Sequence, residues 1–255
     1  GTMQTRLMAV ATAVALAFSA QTASADPLGS AIWPDIVEAH LGAGEIVYDD
    51  AVKVTMPRVI WEPWSVPVQI KFSEELGPVN EVFLFAENNP IQTAAQILPR
   101  RAIRAVGMNI RLERTTPVRA AARGADGVWH VANVEVTVIG AGGCSTPNVA
   151  VAEGEVGVVA TRQFDQDDGG SRVKVMITHP MDTGFVEDTN GNAIPAYYID
   201  SITVSDERGP IAELVTYAAL ASDPAFTFDM PDRRQSVRVT ARDTLGLAFE
   251  SDPLM

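Results

Sequence analysis

The sequence predicts an all-β protein: two immunoglobulin-like β-sandwich domains with a short N-terminal helix. Three observations carry that expectation. Apolar residues recur with a period of two over most of the chain, the pattern of half-buried antiparallel strands. In the first half, Pro, Gly and Asn turns set off about seven short strands, roughly the immunoglobulin number. A glycine-rich break at residues 140–161 then separates this run from a second set of alternating segments. A barrel is the main alternative arrangement of such strands.

Taken in order, residues 1–25 stand apart. "MQTRLMAVATAVALAFSAQTASA" carries Arg6, an apolar core from Leu7 to Phe18, and Ala23-Ser24-Ala25 as a small-residue cleavage site, the layout of a secretory signal peptide. Gly1-Thr2 before Met3 reads as a remnant. The apolar core is short of the roughly 20 residues that span a bilayer. Export to the periplasm with cleavage after Ala25 is the expectation.

In "SAIWPDIVEAHLGAG", Ile32, Ile36, Val37, His40 and Leu41 fall at helical spacing, with Pro34 near the start and Gly42 past the end. The period then switches to two. "VPVQIKF", "NIRLER" and "VEVTV" alternate as strands, and Asp126-Gly127 between "VRAAAR" and "VWHVANVEVTVI" is a hairpin signal. Residues 26–139 form the first expected domain. Residues 140–161, "GAGGCSTPNVAVAEGEVGVVAT", hold small apolar residues and no aromatic, and are expected to form an arm and linker whose valines could add one edge strand. Residues 162–255 form the second domain, with "SRVKVMITHPM", "AYYIDSITVSD", "AFTFDMP" and "QSVRVTARD" as strands and Asn190-Gly191 as a turn.

The chain of 255 residues has 19 Lys and Arg against 32 Asp and Glu, a formal net charge of −13. Loss of residues 1–25 deletes only Arg6 and leaves −14. An acidic surface excludes nucleic acid and anionic membranes as natural partners. Neither half shows a basic patch in the sequence, and basic or mixed-charge protein partners fit the balance.

Tests for chemistry exclude most classes. The "GAGGCS" run fails as a dinucleotide fingerprint, because Ser145 replaces the third glycine and Gly154 and Gly157 break the required helix. His40, His130 and His179 are widely spaced, and one cysteine excludes a thiolate metal cluster. Calcium loops starting at Asp165 or Asp188 would need Glu at their twelfth positions, which are Met176 and Ile199. Nothing in the sequence places His130 beside Cys144 as a base. No G-x-S-x-G elbow is present.

What remains is Cys144 itself. A lone cysteine forms no intramolecular bridge, and its neighbours Gly140, Gly142 and Gly143 free the backbone and remove bulk. The expectation is an exposed, reactive thiol on a flexible arm.

These residues resemble the SoxYZ sulfur carriers. "WPDIVEAHLG", "EIVYDDAVKVTMP", "NNPIQTAAQ", "TPVRAAAR" and "GGCSTP" look SoxY-like, and "VKVMITHPMDTGFVEDTNGNAIPAYYIDSITV" looks SoxZ-like. The arrangement is similar to the fused SoxYZ-like carriers associated with quinoprotein dehydrogenases. In the separate-subunit family the cysteine lies in a C-terminal Gly-Gly-Cys-Gly-Gly arm. Here Ser145-Thr146 replaces the second glycine pair, and a second domain follows.

The resemblance implies a periplasmic, non-enzymatic carrier of thiosulfate oxidation that holds sulfur intermediates on Cys144 and presents them to partner enzymes. It implies no cofactor beyond a covalent sulfur adduct on Cys144. It implies c-type cytochromes, sulfur-oxidation enzymes or a quinoprotein dehydrogenase as partners, and allows a Cys144-linked homodimer. The alternative reading is a non-covalent accessory or interaction protein for a periplasmic quinoprotein dehydrogenase.

Overall fold

The computed structural model describes residues 25–147, 155–233 and 236–252. The expected signal peptide, apart from Ala25, lies outside the described residues, as does 148–154 of the expected linker.

The protein is mostly β with one short N-terminal helix. Helix α1 (Trp33–Ile36) continues into a π-helical turn, Val37–Leu41. Pro34 opens the helix, and Gly42 at φ 69° closes it in a conformation that suits glycine. Strands follow as β1 (Ile46–Val47), β2 (Val52–Thr55), β3 (Val59–Ile60), β4 (Val66–Phe72), β5 (Val79–Ala86), β6 (Thr93–Pro99), β7 (Ala105–Ile110), β8 (Thr116–Gly124) and β9 (Trp129–Val138). At the end of the glycine-rich break, within its last three residues, β10 (Val159–Asp165) begins, followed by β11 (Ser171–Ile177), β12 (Ile199–Asp206), β13 (Gly209–Thr216), β14 (Ala225–Met230), β15 (Arg238–Asp243) and β16 (Ala248–Glu250).

These strands form two sheets. The larger runs β1-β9-β8-β5-β6-β13-β12-β15-β16, with β3 also paired to β9, and the smaller runs β10-β11-β14-β7-β4-β2. The small sheet is antiparallel throughout, whereas β1 and β3 join β9 in parallel. Each sheet crosses the glycine-rich break. In the large sheet β6 pairs with β13 from Pro99↔Ala212 to Ala95↔Thr216, and in the small sheet β7 pairs with β14 from Ala105↔Asp229 to Met108↔Phe226.

One apolar core lies between the sheets. Val68, Ile70, Val106, Met108, Phe226 and Phe228 of the small sheet face the layer that holds Leu84, Ile97, Ala120, Val136, Val204 and Leu214. The opposite face of the large sheet is covered over β5, β8 and β9 by α1. There Trp33, Ile36 and Leu41 pack on Phe83, Phe85, Ala121, Trp129 and Val131. The opposite face of the small sheet carries no such layer among the described residues.

The sequence periods read most of this correctly. "VPVQIKF" is β4, and Val66, Val68 and Ile70 are buried while Pro67 and Lys71 are exposed. The Asp126-Gly127 turn joins β8 to β9, with Gly127 at φ 77° and the Asp126 carboxylate accepting from the Val128 amide at 3.0 Å. Gly191 at φ 79° makes the second expected turn, braced by Asp188, whose carboxylate accepts from the Asn190 and Asn192 amides. "NIRLER" departs from the pattern, because β7 ends at Ile110. Past it the Arg111 amide donates to Ala219 and the Leu112 amide to Pro63, so these partners draw the chain off the ladder.

Candidate site around Cys144

Past β9 the chain turns tightly at residues 143–145, and Cys144 is fully buried at 0% exposure. Two backbone bonds hold the turn: the Gly143 amide donates to the Leu112 carbonyl at 2.8 Å and the Thr146 amide to Gly142 at 3.1 Å. Glu113 holds it further. One carboxylate oxygen accepts from the Cys144 and Ser145 amides at 2.9 and 3.1 Å, and the other accepts from the Ser145 hydroxyl at 2.6 Å. Charge-assisted bonds of this kind are about twice as strong as neutral ones. From the second half, the Thr183 hydroxyl donates to the Cys144 carbonyl at 2.5 Å.

The glycines stand where backbone must approach closely. A Cβ on Gly143 would collide with the Pro63 carbonyl, and one on Gly142 with the Glu113 carboxylate. Gly140 is exposed, at φ 95°.

Arg111 lies beneath this turn and is 1% exposed. Its guanidinium donates to the Ala218 carbonyl at 2.9 Å, the Ser222 hydroxyl at 2.8 Å and the Pro180 carbonyl at 3.2 Å, and also to the Met181 carbonyl. All four acceptors belong to the second half. Asn89 ties the two charged residues together, donating to the Arg111 carbonyl at 2.7 Å and accepting from the Glu113 amide at 2.8 Å.

Burial pushes the Cys144 thiol up to about 12, and the Glu113 carboxylate adds to the rise while Arg111 opposes it. Burial also pulls Arg111 down to about 10, with Cys144 and Asp182 opposing. At neutral pH the sulfur is therefore a protonated, enclosed thiol. A thiol, as opposed to a thiolate, is neither a competent nucleophile nor a ready partner in disulfide exchange.

The expectation of an exposed cysteine on a swinging arm is corrected by this geometry. The sequence neighbours of Cys144 are small, but its cover comes from residues far along the chain: Pro63, Arg111, Glu113 and Thr183. A covalent carrier mechanism requires the sulfur to reach a partner's active site, and here it is packed inside.

Among the described residues no hydrogen bond joins any of the three histidines to the Cys144 turn. His130 Nδ1 sits 3.0 Å from the Asp49 carboxylate. His179 is fully buried, receives the Met181 amide at Nδ1 and faces Asp243 with Nε2 at 3.3 Å, so the ring proton sits on Nε2. His40 packs against Phe83 and Phe85. Among the described residues no group of three or more His, Cys, Asp or Glu side chains is arranged to hold a metal ion.

Sequence reasoning missed Arg111, Glu113, Asn89 and Thr183. The only local signal was a pair of opposite charges two residues apart within "RLE", which is equally common on solvated strands.

Four large apolar side chains are exposed on segments tied to the turn, among exposed polar residues such as Glu62 and Ser145. Trp61, Trp64, Ile139 and Phe185 are exposed at 68, 46, 40 and 51%. Each belongs to a segment tied to the turn: Trp64 follows Pro63, the Ile139 amide donates to Ile60 beside Trp61, and the Phe185 amide donates to Thr183.

Comparison with known proteins matches each half to a family model. The model described as "Sulfur oxidation protein SoxY" matches residues 37–144, ending on Cys144, and that described as "Sulphur oxidation protein SoxZ" matches residues 160–252. A search of curated proteins returned no match. Among solved structures, the sulfur carrier protein SoxY from Chlorobium limicola f thiosulfatophilum is 22% identical over 42% of this chain and 96% of its own, with a TM-score of 0.37. The two adjacent matches place the chain in a non-catalytic, carrier or accessory class, and its architecture is that of a SoxY region fused to a SoxZ region.

Proposed function

We propose that this chain is a non-covalent accessory or interaction protein for a periplasmic redox enzyme, with a quinoprotein dehydrogenase as the partner. We read its layout as two immunoglobulin-like sandwiches, residues 26–139 and 162–255, joined edge to edge and exported by the cleavable segment 1–25. The observation that carries the functional reading is the burial of Cys144 with its thiol pushed up to about 12, which removes the chemistry a covalent carrier needs.

The exposed Trp61, Trp64, Ile139 and Phe185 supply what a non-covalent role needs in its place. Large aromatic side chains contributed by both halves are the groups that dominate binding energy at protein interfaces. The Cys144 turn then serves as the buried base on which that rim is built.

The test is a Cys144→Ala strain of the native host. Growth on the substrate of the partner enzyme, and co-purification with that enzyme, are expected to match the parent. A sulfur adduct on Cys144 in protein purified from sulfur-oxidising or alcohol-oxidising cultures, together with an impaired Cys144→Ala strain, overturns the reading. Trp64→Ala with Phe185→Ala is expected to weaken binding by about tenfold or more, the cost of removing two aromatic contacts.

A further inference from the structure

The outer face of the small sheet is unlike the rest of the molecule. The chain has three lysines, Lys53, Lys71 and Lys174, and strand register puts all of them on this face together with Arg162 and Arg172. The alternation in β2, β4, β11 and β14 fixes the side: Val52, Val68, Ile70, Val173, Val175, Phe226 and Phe228 point into the core, so the residues between them point out. The one carboxylate in these outward positions is Asp229, which takes both bonds of Arg172 at 2.6 and 2.8 Å. Lys53, Lys71, Arg162 and Lys174 are thus left without an ion pair among the described residues. The basic patch not visible in the linear sequence is assembled by register from four strands of an acidic protein.

Their arrangement is costly unless something answers it. Lys53 sits directly opposite Lys71, and Arg162 directly opposite Lys174. Like charges in register across a sheet are destabilising. Protection of open sheet edges accounts for cations on the edge strands β2 and β10, hence for Lys53 and Arg162. It does not account for Lys71 on β4 or Lys174 on β11, which are interior strands.

A groove of about 490 Å³ on this face is lined by Lys174 and Arg172 together with Met56, Pro67, Gln69, Gly107, Met108 and Thr227, and Lys53 and Lys71 stand one outward position beyond its Thr55 and Gln69. Gly107 forms its floor where the halves meet, opposite Thr227, and a Cβ there would collide with the Thr227 hydroxyl. Three strand spacings separate β4 from β11, about 14 Å. A single oxyanion is too small to touch both pairs.

We propose that this face is a docking surface for an acidic protein partner, whose carboxylates meet Lys53 and Lys71 on one side and Lys174 and Arg162 on the other. The proposal rests on the reading of this chain as a non-covalent interaction protein. It assigns that role a second surface and a partner of defined charge.

Because every lysine lies on this face, lysine-specific reductive methylation reports on it alone among side chains. Oligo-glutamate of about 20 residues, long enough to cross the groove, is the probe. It is expected to protect Lys71 and Lys174 at low salt and to lose that protection as salt is raised. Lys71→Glu with Lys174→Glu is expected to weaken oligo-glutamate binding about tenfold or more, as reversal of paired interface charges does.

Equal protection by inorganic sulfate, or by phosphatidylglycerol vesicles, would assign the face to an oxyanion or a lipid and overturn the proposal. So would a concentration-dependent dimer abolished by the two reversals. Unprotected lysines alongside an unimpaired Cys144→Ala strain overturn this proposal alone. A sulfur adduct on Cys144 together with an impaired Cys144→Ala strain overturns the accessory reading and this proposal with it.

Discussion

At the scale of single residues, Cys144 and His179 show how position sets chemistry. A thiol held near 12 has about one part in ten thousand in thiolate form at pH 8, where an ordinary thiol has tens of per cent. Native protein is therefore expected to react with a thiol reagent at pH 8 orders of magnitude more slowly than protein in urea, and to remain free of disulfide-linked dimer on a non-reducing gel. Glu113→Gln removes a charge that raises the thiol and weakens the bonds to the Cys144 and Ser145 amides, so labelling should accelerate while stability falls by about 1–3 kcal/mol. His179 titrates in the opposite sense. Burial lowers it from 6.5, and the bond to Asp243 only partly opposes this. The unfolded chain then binds the proton more readily than the folded one, so the contribution of neutral His179 is complete above pH 6.5 and is lost as pH falls toward the lowered value. Urea midpoints measured from pH 7.5 down to 5.5 should decline, and the decline should be smaller in His179→Gln. Neither environment was legible locally. Glu113 and Thr183 lie 31 and 39 residues from Cys144, and the small neighbours that suggest a free arm serve equally well for close packing.

At the scale of elements, the clearest dependence is that of α1 on Arg119. This guanidinium is fully buried between the helix and β8, bonded to Glu87 at 3.0 Å, to Asn133 at 2.8 Å and to both oxygens of Asp26 at 2.5 and 3.0 Å, with its central carbon 4.5 Å from the centre of the Trp33 ring. Burial alone would raise Asp26, but Arg119 and the Leu28 and Ser30 amides outweigh it and hold the carboxyl below its usual 3.8. That contribution is present above pH 3.8 and is lost as pH falls through the lowered value. Glu87→Ala leaves the buried guanidinium short of one counter-charge and is expected to cost about 3 kcal/mol in urea unfolding, because a broken buried pair exposes an unpaired charge to low dielectric. The same packing explains which strands were legible. β4, β11 and β15 have one buried face and read as clean alternation. β5, "VNEVFLFA", is buried from Val82 to Ala86 because the core takes one face and α1 the other, and a run of that kind carries no period. The helix was legible from its spacing, although Trp33 rather than Ile32 fills the buried position, with Ile32 exposed at 36%.

At the scale of the whole molecule, the glycine-rich break divides the sequence without dividing the sheets. Strand periods can mark elements on either side of residues 140–161, but which edges meet depends on pairings more than 100 residues apart. These are β6 with β13 and β7 with β14, and no local pattern encodes them. They make the small and large sheets continuous across the two halves, and Arg111 adds four donations from the first half to carbonyls and a hydroxyl of the second. The core between the sheets is likewise shared, with Met108 and Ile97 in the same cluster as Phe226 and Leu214. A covalent link is then not what holds the halves together. Protein carrying an engineered protease site within 148–154 is expected, after complete cleavage, to elute as one species and to unfold in a single urea transition, since opening either ladder would expose a sheet edge and part of the common core. Two separate transitions, or release of one half from the other under native conditions, would show instead that each half closes its own core. Arg111→Met discriminates further: removing the guanidinium leaves four acceptors in the second half without that donor, so the cleaved variant should come apart at lower urea than the cleaved parent, with a smaller difference between the uncut chains, where the link keeps the halves at high effective concentration.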